Sequence, residues 1–308
     1  MPNIVHQTLG DRSSWLAARR ALGVGASELA AAMGKSPFQS RLGLYESKIR
    51  EEETEKEEPT FLRMGRRFEA AIADETAYKL GLEVEDPGDY SIWSRGLRFA
   101  TPDRLVLSNG RPSGVLEIKS TEFFHKHLWD EGPPFHVRAQ AQQQMYCTGL
   151  TQQPAIIAAC WSMQRVDTYE EPYSEEFASL ADAYVDSFWL YVSSRTPPAV
   201  DPEAPEQDAR AIKALWPKNT GETVALSEAA AEAHTELAAL KGWIKTAQKR
   251  ETYLKNIVRA EMGENTFGEF ADGGYYTHKA IVYAEKMKLQ KARVTRTLLY
   301  HPPKETKK

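Results

Sequence analysis

Cysteine is nearly missing from this chain: Cys147 and Cys160 are the only two in 308 residues. Two thiols cannot by themselves ligate an iron–sulfur cluster or a four-cysteine zinc site. They read instead as buried thiols, which suits a reducing compartment. An excess of positive charge is missing too. The formal net charge is −4, so the overall field does not advertise a polyanionic partner, and any nucleic-acid contact has to come from a local basic groove. No apolar run approaches the length of a membrane span, and the N-terminus lacks the basic-then-apolar layout of a signal peptide. The expectation is a soluble, cytoplasmic protein with no membrane partner. His125, His127 and His136 show no zinc-type pair within a helix and read as loop or groove residues. No internal repeat is visible. The length allows a buried core in one large domain or two modest ones.

What is present is a run of helices, then short strands, then helices again. Ser13 or Ser14 is expected to cap a helix over Trp15–Leu22 that ends at Gly23, and Ser27 to cap a second one stopped by Gly34 and Pro37. A third is expected over Arg41–Ile49. Glu51–Glu58 reads as solvated charge. Thr60 is expected to cap a helix to Leu80, with Phe61, Met64, Phe68 and Ile72 as its apolar stripe. Candidate strands follow at Tyr90–Trp93, Leu97–Ala100, Leu105–Leu107 and Val115–Lys119. Next come a helix over Val137–Thr148, strands at Ala155–Trp161 and Val166–Glu170, and a helix near Glu175–Val192. The order predicts a mixed α/β domain on a central sheet flanked by helices. We place that domain at 1–196, a Pro-rich linker at 197–207 and a C-terminal helical and hairpin extension at 208–308. In the extension a long helix spans Ser227–Met262, with Gly242 a candidate break. Phe267–Phe270 and Tyr275–Tyr283 form a hairpin across Asp272–Gly273–Gly274. The tail is basic: Lys286, Lys288, Lys291, Arg293, Arg296, Lys304, Lys307 and Lys308.

The chemistry-bearing pattern is Asp103 with Glu117–Ile118–Lys119. Side chains alternate along a strand, so Glu117 and Lys119 share a face while Leu116 and Ile118 enter the core. A hairpin at Asn109–Gly110 folds Arg104–Leu107 back beside that strand and brings Asp103 toward Glu117. Two carboxylates and an ammonium at one sheet edge can bind a divalent cation through oxygen and hold a water beside a positive charge. The same alternation is equally that of an ordinary half-buried strand.

Four further features bear on it. Glu69 sits at the edge of the apolar stripe of its helix, where it is either a surface glutamate or a third carboxylate. Gln140, Gln142, Gln143 and Gln144 crowd one helix whose packed face is Val137, Ala141 and Met145. Gln143 reads as part of a solvated polar face, whereas a glutamine beside the site could orient water or phosphate. Arg19 and Ser27 flank a glycine-containing link, and a helix start there suits a phosphate. Each is also readable as a plain surface arginine and a plain cap.

Five ordered blocks together resemble the YqaJ-type viral recombinase family, which includes lambda exonuclease, within the PD-(D/E)XK nuclease superfamily. They are Trp15–x–x–x–Arg19 with Gly25–Ala26–Ser27–Glu28; Met64–Gly65–Arg66–Arg67–Phe68–Glu69; Thr101–Pro102–Asp103; Leu116–Glu117–Ile118–Lys119; and Ala139–Gln140–Ala141–Gln142 with Met145. The resemblance covers roughly residues 13–192. It implies a restriction-endonuclease-like core with Asp103, Glu117, Glu69 and the Ile118 backbone carbonyl holding Mg²⁺, or Mn²⁺ in its place. Lys119 would position the attacking water. Arg19, Ser27 and Gln142 would hold a terminal 5′ phosphate, with Gln140 the alternative to Gln142. The implied activity is 5′→3′ digestion of linear duplex DNA to 5′-mononucleotides, leaving 3′ single strands for phage-type recombination. The implied assembly is a trimeric ring in a bacterial host, working with a single-strand annealing protein. An endonuclease of the same superfamily and a non-catalytic DNA-end-binding scaffold are the alternatives. Residues after about 205 do not match the lambda enzyme.

Overall fold

The structure, a computed structural model, describes residues 2–50, 59–218, 222–282 and 294–301. The acidic run 51–58, Tyr283, Lys286, Lys288, Lys291, Arg293 and the lysines after 301 lie outside the described residues. The chain divides into two units, 1–219 and 220–308.

In chain order the first unit runs β1 (Ile4–Thr8), α1 (Arg12–Ala21), β2 (Val24–Gly25), α2 (Leu29–Ala32), α3 (Arg41–Ile49), α4 (Thr60–Leu80), β3 (Glu83–Glu85), β4 (Ser91–Arg95), β5 (Arg98–Ala100), β6 (Arg104–Ser108), β7 (Arg111–Thr121), α5 (Phe135–Thr148), β8 (Ala155–Trp161), β9 (Arg165–Glu171), α6 (Glu175–Ser193) and α7 (Pro205–Leu215). The Pro-rich stretch at 197–207 thus runs into α7, which belongs to this unit. The fold is mixed α/β, with a five-stranded sheet ordered β3-β6-β7-β8-β9 and a four-stranded sheet ordered β1-β4-β5-β2. In the larger sheet β7 and β8 are parallel and their other neighbours antiparallel. The β7–β8 connection carries α5 across the sheet, as a parallel crossover requires.

Period-two alternation sorts the sheet's side chains onto two helices. Val106, Leu116, Ile118 and Ala158 pack with Ile72 and Ala73 of α4. Leu105, Val115, Ile157 and Ala159 pack with Val137, Ala141 and Met145 of α5. Val115, Leu116 and Ile157 are completely buried, each contributing about 1.5–3 kcal/mol by area. Glu117 and Lys119 share the parity of Val115, so they lie on the α5 side.

Several expectations are corrected. Helix α1 begins at Arg12, capped by Asp11, whose Oδ1 accepts from Ser14 N–H at 2.8 Å; Ser13 and Ser14 lie inside its first turn. Ser27 is not an N-cap: it sits in a 3₁₀ turn over Ala26–Glu28 that starts from Gly25. Glu28 turns back to accept from Gly25 N–H at 2.7 Å. Thr60 is the first helical residue of α4, after Pro59. Gln143 is not solvated. It is completely buried, donating from Nε2 to the carbonyls of Val24 (2.7 Å) and Phe99 (2.9 Å), so it ties α5 to the smaller sheet. A polar residue with full partners fits a core as well as an apolar one. Strands β1 and β3, too polar in pattern to read as strands, are added by pairing to β4 and β6.

The second unit holds α8 (Glu228–Met262), β10 (Phe267–Glu269), β11 (Tyr275–Val282) and β12 (Val294–His301), the strands forming one antiparallel sheet. Helix α8 is unbroken at Gly242. One glycine costs about 1 kcal/mol in a helix, too little to split 35 residues. The basic stretch around Arg296, read as tail, is strand β12.

Candidate active site

The turn between β6 and β7 sets the site. Asn109 and Gly110 have φ of 51° and 70°, the two positive values a type I′ hairpin demands. Arg104 therefore pairs with Leu116, and Asp103, one residue earlier, comes level with Glu117. Asp103 Oδ2 accepts from the Ile118 N–H at 2.7 Å. Glu117 is buried, with one oxygen 2.5 Å from Lys119 Nζ and the other accepting from Gln144 Nε2 at 2.5 Å. Lys119 Nζ also donates to Gln140 Oε1 at 2.9 Å. From α4, Glu69 Oε1 accepts from Arg104 at 2.7 Å, and Arg104 also donates to the Asp103 carbonyl.

The electrostatics are those of crowded carboxylates. Burial first, and Glu117 and Glu69 after it, push Asp103 well above the ordinary 3.8. Burial also raises Glu69, with Arg104 working against it. Burial opposes the charge on Lys119, but Glu117 and Asp103 outweigh it and raise that group. Three carboxylates thus face two cations, Lys119 and Arg104, an imbalance that a divalent cation would correct. Gln144 Oε1 is buried without a hydrogen-bond partner among the described residues, leaving an acceptor for water beside Glu117. The donor set fits a hard divalent metal. It is not preassembled: among the described residues no group of three His, Cys, Asp or Glu is placed to hold an ion. Glu69 would have to leave Arg104, and Glu117 would have to share its oxygens with Lys119.

A second cluster surrounds Arg19. Its guanidinium lies 4.5 Å from the Trp15 ring centroid and 5.3 Å from that of Phe99. Lys48 of α3, buried, donates to the Arg19 carbonyl at 3.0 Å and pairs with Glu28 at 2.6 Å. Burial lowers the pKa of both Arg19 and Lys48, and Arg19 and Arg20 repel Lys48 further. Three cations share one carboxylate, so the cluster has positive charge to offer an anion. Ser27 is exposed on the neighbouring turn. Gln140 reaches Lys119. Gln142 turns elsewhere, donating to Glu171 (2.8 Å) and the Pro172 carbonyl (2.7 Å) and accepting from Ser174 N–H (3.0 Å).

Gln144, Arg104 and Lys48 were not among the residues picked from sequence. Gln144 stands four after Gln140, hence on the same helix face, a signal that was legible. Lys48 stands three and four residues after Tyr45 and Leu44, inside the apolar stripe of α3; a lysine there was the clue. Arg104 carried no comparable mark beyond following Asp103.

The larger sheet of this mixed α/β fold brings Pro102–Asp103 beside Glu117–Ile118–Lys119, with α4 packed on one face and α5 on the other. Residues 14–151 match the model of the YqaJ-like viral recombinase domain. Similar solved structures include the alkaline exonuclease LHK-Exo of Laribacter hongkongensis, at 20% identity and a TM-score of 0.48, covering 65% of this chain and 100% of that one. The same enzyme in complex with dAMP gives 21% identity and 0.49, with the same coverage. No curated protein matches the chain. Among the described residues no helix is long and apolar enough to cross a membrane.

Proposed function

We propose that the first unit is a metal-dependent 5′→3′ exonuclease on linear double-stranded DNA, releasing 5′-mononucleotides and leaving 3′ single strands for phage-type recombination. The observation that carries this reading is the convergence of Asp103, Glu117 and Lys119 at one sheet edge. Asp103, Glu117, Glu69 and the Ile118 carbonyl would hold Mg²⁺, with Mn²⁺ a substitute. When bound, that ion polarises the phosphoryl group, acidifies a water and offsets charge on the leaving oxygen. The chain's own residues do the rest. Glu117 and Gln140 hold the Lys119 ammonium in place, where it orients the water and meets negative charge developing on the phosphate. Gln144 fixes the Glu117 carboxylate. Arg19, Ser27 and Lys48 receive the terminal 5′ phosphate, and because Gln142 is taken up by Glu171, Pro172 and Ser174 we assign the glutamine's part to Gln140. The reading extends to a trimeric ring around the duplex and to an annealing protein that takes over the 3′ strand, both in a bacterial cytoplasm.

The deciding experiment is a time course on linear and closed circular duplex, with one linear end 5′-phosphorylated, with and without Mg²⁺. Mononucleotide release from linear duplex alone, starting at the phosphorylated end, is expected. Cutting of the circle would make the protein an endonuclease, and binding without release would make it a scaffold.

A further inference from the structure

We infer that Phe38 and His136 form a stacking platform for an unpaired nucleobase at the DNA end, beside the cutting centre. The rings form an edge-to-face pair with centroids 5.1 Å apart at 87°. Phe38 is 71% exposed despite that contact, a large apolar surface. Its loop is nevertheless fixed. Ser36 Oγ accepts from the N–H groups of Phe38 (3.2 Å) and Gln39 (3.3 Å), and Gln207 of α7 donates to the Pro37 carbonyl at 3.0 Å. A ring held out on a tied loop loses little freedom when something stacks on it.

Its position beside the site follows from helix geometry. His136, Gln140 and Gln144 succeed one another at four-residue spacing on one face of α5. Gln140 touches Lys119 and Gln144 touches Glu117, so His136 is the outward end of the same row. Burial, and then the charge of Lys119, lower the pKa of His136, which favours the uncharged ring. Next to it Lys35 Nζ lies 5.1 Å from the Phe135 ring centroid, adding a cation on the same rim for the sugar–phosphate chain. Aromatic faces interleaved with cations are how proteins hold unpaired nucleic acid without reading its sequence.

This inference rests on the nuclease reading, and its test separates the two. Binding of a linear duplex is measured in EDTA, with the 5′-terminal nucleotide either normal or abasic, for the full chain and for Phe38→Ala and Phe38→Trp. The wild-type chain should bind the abasic end roughly tenfold more weakly, the scale of one base–aromatic stack. Phe38→Ala should bind both ends equally weakly, and Phe38→Trp should keep the preference. Wild-type indifference to the abasic end, or a preference surviving in Phe38→Ala, overturns the platform even if Mg²⁺ supports digestion. Base-dependent binding without digestion in Mg²⁺ keeps the platform and overturns the nuclease.

Discussion

Asp103 Oδ2 and the Ile118 N–H are joined by a 2.7 Å hydrogen bond. The bond ties the entry of β6 to the middle of the Glu117–Ile118–Lys119 segment, so one carboxylate serves both as a strut and as a candidate ligand. Those two duties separate on substitution. Asn at 103 can still accept from Ile118 through its amide oxygen but carries no charge. Asp103→Asn should therefore fold, and in EDTA at neutral pH its thermal midpoint should equal or exceed that of wild type, because a costly buried charge is gone. Nuclease activity in Mg²⁺ should fall at least roughly a hundredfold, the scale of several kcal/mol of charge stabilisation. A midpoint well below wild type would show that the negative charge itself supports the fold.

Lys119 has no comparable structural duty beyond its pair with Glu117 and its bond to Gln140. Lys119→Ala should abolish Mg²⁺-dependent digestion while far-UV circular dichroism stays that of wild type. Full activity in this variant would sink the proposed site.

The raised carboxylates also fix a sign for pH dependence. A group whose folded pKa is raised stabilises the protein below its unfolded value, and that contribution is lost as pH climbs through the folded value. For Asp103 and Glu69 the loss starts above the ordinary 3.8 and 4.5. Metal-free protein should therefore lose stability as pH rises through the acid range toward neutrality. Mg²⁺ binds the ionised form and should restore it, so melting curves with Mg²⁺ and with EDTA should diverge as pH increases. Parallel curves would mean that these carboxylates do not hold the ion.

How much of this was open to sequence reading depends on the range of the interaction. The Asn109–Gly110 turn is local chemistry, and with it the pairing of Arg104 with Leu116 followed. The span of α3 and the far end of α4 agree with expectation, and local chemistry accounts for both: Ser40 caps α3, and Gly81, in the left-handed region, closes α4. The four glutamines of α5 were not sorted, because that helix is buried nearly all round and shows no polar stripe. Their roles are decided by what packs on each side: β7 for Gln140 and Gln144, the smaller sheet for Gln143, and the start of α6 for Gln142. Lys48 shows its burial by its place in the apolar stripe of α3, but not its partners, which lie 20 and 29 residues away.

Gln144 donates to Glu117 from inside the core, and removing it should loosen the carboxylate rather than the fold. Gln144→Ala should raise the Mg²⁺ concentration for half-maximal activity about 10- to 100-fold, as loss of a ligand's supporting hydrogen bond does. Gln144→Glu should do worse, because it sets a second carboxylate against Glu117. An unchanged Mg²⁺ titration in both variants would remove Glu117 from the metal site.

The Arg19 cluster predicts discrimination between ends. Arg19 is held against Trp15 and Phe99, and Lys48 is pinned by Glu28 and the Arg19 carbonyl, so both cations are positioned before any anion arrives. Arg19→Ala removes a forked donor that can grip a phosphate with two bonds, and Lys48→Met keeps the buried stem while deleting the charge. Both variants should raise KM on 5′-phosphorylated ends by roughly tenfold or more, with little change on 5′-hydroxyl ends. Salt should weaken the wild-type preference, because a charge–phosphate contact is screened. Lys48→Met also leaves Glu28 without its partner, so its melting temperature must be read alongside. If both ends lose activity equally in a variant that melts like wild type, the cluster braces the Gly25–Glu28 turn and receives no phosphate.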